Sequence, residues 1–191
     1  MANNCFYNMR IKGAEKDVKE FIDILTYKHP DKLHFARIFS AEIVQTDSRD
    51  NLYIADICGD CAWSVYSCMC TGPMSYYMSH HKADSTLSNI SSESRRLHLD
   101  IEIYSTETGM GFAEHYLIKQ GNTEIDEEVK YNEYYYDDID PFMTTHDAPE
   151  EEIKRFNEWK KEYNLPKELT LDDLDENNCI CIGGFDIVYH I

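Results

Sequence analysis

The 191-residue chain predicts an α+β fold, an antiparallel sheet with two main helices packed on it and β-hairpin insertions. Three observations carry this expectation. A run alternating with period two opens the chain, an amphipathic helix follows it at once, and a second alternating run in the middle is followed by a further helix only near residue 150. One domain spanning 1–191 is expected, with an acidic, tyrosine-rich strand and helix segment at 123–176. With 42% apolar residues the chain can fill one sizeable core.

The elements follow in order. Cys5, Tyr7, Met9 and Ile11 alternate with Phe6, Asn8 and Arg10, which reads as a first strand ending at Gly13. Val18, Phe21, Ile22 and Leu25 then form one helical stripe among charged residues, closed by His29-Pro30. An extended segment covers 33–46, strands are expected at 51–58 and 61–70, and a short helix near Thr86–Glu93. Leu97, Leu99, Ile101 and Ile103 alternate with His98, Asp100, Glu102 and Tyr104, a half-buried strand whose partner is 112–119. A strand at 124–136 follows. Asp147 caps a helix running to Tyr163, with Ile153, Phe156 and Trp159 inward. Cys179–Ile182, a Gly183-Gly184 break and an extended tail finish the chain.

Charge is the strongest compositional feature. The chain holds 36 Asp+Glu against 18 Lys+Arg, and 19 against 6 fall within residues 123–176. Such a field repels phosphate backbones and attracts basic partners. Direct nucleic-acid binding is therefore not expected. Nowhere do eighteen apolar residues occur in succession, and MANNCFYNMRIKG has no signal-peptide pattern, so a cytoplasmic protein with no membrane partner is expected.

Seven cysteines raise the question of metal or redox chemistry, with Cys58, Cys61, Cys68 and Cys70 close together. Gly59-Asp60 between two strand-like runs predicts a two-residue hairpin turn, with Trp63 and Val65 on the buried face. Cys68 then lies seven residues beyond Cys61, about 24 Å on a straight strand, too far to share one ion. A Cys58–Cys61 disulfide is conceivable across such a turn, but packing thiols in a reducing compartment account for the spacing best. No cofactor or metal is expected. His80-His81 reads as a solvated pair in a polar loop.

The stretch YSTETGMGFAEHYLI offers Glu107, Glu114 and His115 as candidate catalytic groups. Parity turns Glu114 toward the core with Phe112, Tyr116 and Ile118, where a carboxylate is either a general acid or base or an acceptor for buried donors such as the Trp63 indole. Gly109 and Gly111 precede a strand, so no helix N-terminus is there to hold a phosphate. No Ser/His/Asp order, Walker loop or His-Glu-x-x-His motif occurs.

Asn3-Asn4-Cys5 through Gly13, the Gly59-Asp60-Cys61-Ala62-Trp63-Ser64-Val65 run, the Ser105-x-Glu107-x-Gly109-x-Gly111-Phe112-x-Glu114-His115 strand and Gly183-Gly184-Phe185 together resemble phage and plasmid proteins with a YubB-type ferredoxin-like domain. The resemblance implies a ferredoxin-like α+β sandwich and a mobile-element origin. It implies no catalytic residues, and the acidic segment 123–176 departs from its pattern.

The function expected is that of a non-enzymatic accessory protein, an acidic module that imitates nucleic acid and occupies a basic, nucleic-acid-binding partner, of anti-CRISPR or anti-restriction type. Its contact residues are Tyr131, Glu133, Tyr134, Tyr135, Tyr136, Asp137 and Asp138, where aromatics give contact area and carboxylates stand in for phosphates. The alternatives are a small hydrolase or transferase using Glu107, Glu114 and His115, a purely structural role, and a solvated acidic face that only confers solubility.

Overall fold

The alternation at the start of the chain becomes strand β1, Asn4–Gly13, which buries Cys5, Tyr7, Met9 and Ile11 on one side and turns Phe6, Asn8 and Arg10 to the other. Helix α1, Glu15–Leu25, covers the first side with Val18, Phe21, Ile24 and Leu25. The computed structural model describes residues 3–28, 33–49, 52–70, 87–136, 139–140 and 143–191. His29-Pro30, His80, His81, Asp137 and Asp138 lie outside the described residues. Among the described residues no helix is long and apolar enough to cross a membrane.

The chain divides into two compact units, the first up to Tyr131 together with Gly183–Ile191, the second Asn132–Ile182. In the first, β2 (Ile38–Arg49), β3 (Leu52–Ala62), β4 (Asp100–Glu107), β5 (Phe112–Lys119) and the start of β6 (Asn122–Tyr135) join β1 in the order β2-β3-β1-β4-β5-β6, every pair antiparallel. Helix α2, Ile90–Leu97, contributes Ile90 and Leu97 to the same core as α1. The architecture is mixed α+β with an antiparallel sheet.

The second unit has its own smaller core of Tyr136, Phe156, Leu171 and Ile180, with Trp159 and Ile153 packed against it. Helix α3, Glu150–Glu162, supplies three of these side chains. It begins after Pro149 instead of an Asp147 cap, since Asp147 bonds back to Thr144 in the preceding turn. Strand β7, Cys179–Gly183, lies beside the last residues of β6.

The predicted 51–70 hairpin turning at Gly59-Asp60 is absent from the described residues 52–70. β3 runs straight through both residues, with Tyr7 opposite Gly59 in β1 and Ala41 opposite it in β2. Glycine is needed there for space: an added Cβ would collide with the Ser40 carbonyl and the Tyr7 ring, whose hydroxyl donates to Ser40 O at 2.8 Å. The strand stops at Ala62, Trp63 takes a left-handed backbone (φ 67°), and Tyr66–Cys70 forms a π-helical turn. Cys68 is thereby folded back toward Cys61, whose thiol is pushed far up by the Cys5 and Cys68 sulfurs and by burial. The straight-strand distance between these cysteines does not apply, because there is no second strand. All seven cysteines are free thiols. Val65 is buried as expected, whereas Trp63 is half-buried beneath the Arg37 guanidinium, 4.2 Å from its ring centre.

α2 also departs from expectation, lying four residues beyond the predicted Thr86–Glu93. Asn89 caps it by accepting from Ser92 N at 2.9 Å, and His98 ends it in the left-handed region, so the following strand begins at Asp100 and not at Leu97.

Candidate functional site

Strand β4 has a half-buried sequence pattern but is buried on both faces. Ile101, Ile103, Ser105 and Glu107 share the side of the helices. Glu102 and Tyr104 point the other way, and Glu102 is 0% exposed. What covers them is the C-terminal segment. Gly183 and Gly184 both take positive φ (87° and 84°), and Gly184 N donates to Lys130 O at 2.9 Å. From there Phe185–Ile191 crosses the sheet without joining it as a strand.

Glu102 is the anchor of that crossing. Its Oε2 accepts the His190 backbone N–H at 2.6 Å. Its Oε1 lies 2.6 Å from His190 Nδ1 and 2.9 Å from His115 Nε2. The Tyr104 hydroxyl is 2.8 Å from the Val188 carbonyl and 3.2 Å from the same Oε1. His115 reaches the cluster from β5, stacked on Tyr104 with ring centroids 4.1 Å apart and flanked by Phe185 at 5.5 Å. Next to them Arg10, opposite Glu102 in register, is held bidentately by Asp56 at 2.7 Å and lies 4.3 Å over the Tyr189 ring.

The electrostatics follow from these contacts. Burial alone would raise the Glu102 carboxyl, but the His190 ring and backbone N–H and the His115 ring hold it below the usual carboxylate range. The same burial and the facing carboxylate push the Tyr104 phenol up to about 12. One carboxylate oxygen with two imidazole nitrogens directed at it can relay a proton between the rings or ligate a cation.

Glu107, Glu114 and His115 do not converge. Glu114 lies on the helix side of the sheet, 2% exposed, accepting from Val65 N at 2.9 Å, Tyr66 N at 3.3 Å, Ser105 Oγ at 2.8 Å and Tyr116 Oη at 3.2 Å. It caps the first turn of the π-helical segment, and its donors are backbone and hydroxyl groups in place of the Trp63 indole. Burial raises its carboxyl despite these four bonds. Glu107 caps its own loop, accepting from Gly109 N at 3.1 Å and from Met110 N. His115 is on the opposite face.

The tyrosines proposed for binding are divided as well. Tyr136 is 5% exposed in the second core, edge-on to Phe156 at 5.2 Å, with its hydroxyl bonded to Glu152. Tyr134 is half-buried against Tyr163 at 5.9 Å. Tyr135 is 54% exposed and donates to Glu133 at 2.8 Å; Tyr131 and Glu133 are half-buried.

Sequence reasoning missed Glu102, Tyr104 and His190. Alternation assigned the first two to a solvated face, and no local signal marks a terminal histidine that meets its partner 88 positions away. Comparison with protein-family models, curated proteins and solved structures finds no match to this chain.

Proposed function

We propose that the protein is a non-catalytic accessory protein whose second unit binds a basic protein surface, imitating the nucleic acid that such a surface holds, with a host defence factor as the class of partner. The observation that carries this reading is the exposure of Tyr135 (54%) beside Glu133 and of Tyr163 (50%) at the end of α3, in a unit with 15 Asp+Glu against 5 Lys+Arg. Exposed tyrosines offer contact area at little entropic cost, and the surrounding carboxylates favour a cationic face and disfavour others. The first unit is read as ferredoxin-like on its order β1-α1-β2-β3-α2-β4, whose strands lie in the sequence β4-β1-β3-β2.

The test is a pull-down from cell lysate at low and high salt with the wild type and a Glu133→Gln/Tyr135→Ser/Tyr163→Ser variant. A nucleic-acid-binding protein held at low salt, released at high salt, lost with the variant and displaced by duplex DNA is expected. Absence of any salt-sensitive partner that DNA displaces contradicts the reading.

A further inference from the structure

We propose that Glu102, His115 and His190 form a site for one divalent transition ion of the zinc class, which staples the C-terminal segment to the sheet. Among the described residues these three present ligand atoms that all lie within 4.8 Å of one another. A tetrahedral zinc site has bonds of about 2.0–2.2 Å to nitrogen and carboxylate oxygen, which sets ligand atoms about 3.4 Å apart. The two nitrogens are 2.9 and 2.6 Å from Glu102 Oε1 and no pair of the three atoms is more than 4.8 Å apart, so shifts of about 1 Å at each ring bring them to that spacing and an ion replaces two hydrogen bonds. Each imidazole then turns a lone pair to the ion and carries its proton on the other ring nitrogen, with no net change in charge.

The surroundings fit such an ion. Glu102 is enclosed, and its partners are two imidazoles, a phenol and a backbone N–H; Arg10 across the register is engaged by Asp56. A divalent ion supplies further countercharge to a buried carboxylate. Tyr104 and Phe185 fix the His115 ring, as the outer groups of metal sites do, and the half-exposed His190 side chain (54%) opens a route to solvent and a fourth position for water. Imidazole and carboxylate together select zinc-class ions over Mg²⁺ and Ca²⁺, which prefer all-oxygen sites. Because His115 and Glu102 belong to one hairpin and His190 to the chain end, the ion would close the segment onto the sheet.

The experiment uses tag-free full-length protein stripped with chelator, titrated calorimetrically with Zn²⁺ and followed by absorption with Co²⁺, for the wild type, His190→Ala, His115→Gln and Glu102→Gln. One ion is expected, with a cobalt spectrum of nitrogen and oxygen ligation lacking thiolate charge transfer. Each variant weakens binding about tenfold or more, and Zn²⁺ slows amide exchange in 185–191. His190→Ala truncates a half-exposed ring, so its fold survives and its loss of affinity is interpretable. No uptake by the wild type, a thiolate charge-transfer band, or affinity unchanged in both His190→Ala and His115→Gln overturns the site.

Discussion

Two buried glutamates on opposite faces of one sheet titrate in opposite directions, and the sign follows from their donors. Glu102 has a folded-state carboxyl below its unfolded value of about 4.3, so the unfolded chain binds the proton more readily and this contribution, full above that value, is lost as pH falls through the folded one. Urea unfolding between pH 7 and 3 should show acid destabilisation that is smaller in Glu102→Gln. Glu114 is shifted upward, so its contribution is full below about 4.3 and declines as pH rises through the folded value. A flatter stability profile between pH 4 and 7 is the expected outcome for Glu114→Gln, measured by the same unfolding curves. Truncation to Glu114→Ala strands four donors and should cost at least about 1–3 kcal/mol, measured by the same unfolding curves at pH 7. The parity of β5 makes the inward position of Glu114 legible in the sequence. Which donors it meets is not, because Val65 and Tyr66 arrive through a backbone reversal at Trp63 that no turn signal announces.

At the scale of elements, periodicity was a reliable guide wherever one face alone decides burial. β1, α1 and α3 fall where their apolar spacing puts them, and β5 also has its expected bounds although both of its faces are buried. β3 shows where the same reasoning fails, since Gly-Asp between apolar runs has the composition of a turn, while here glycine makes room for the Tyr7 hydroxyl to cross to β2. Gly59→Ala should cost about 1–3 kcal/mol in this strand, from overpacking against Tyr7 and Ser40, in equilibrium unfolding. The buried face of Glu102 and Tyr104 was hidden for a different reason: its cover comes from the far end of the chain, and alternation registers only what a strand itself contributes.

For the whole molecule, the described residues of the second unit place four buried apolar side chains in its core, which predicts that it is the less stable of the two. Phe156→Ala removes its central side chain at about 3–5 kcal/mol. Hydrogen exchange should then lose protection throughout 132–182 while the amides of Met9 and Ile103 keep theirs. Equal loss in both units would show that they unfold as one. The central claim, that the chain end is anchored on a buried carboxylate, is tested most directly at the His190 amide. Its N–H, bonded to Glu102 Oε2 at 2.6 Å, should exchange slowly in the wild type and at the rate of a free peptide in Glu102→Ala. Free exchange of that amide in the wild type would contradict the account.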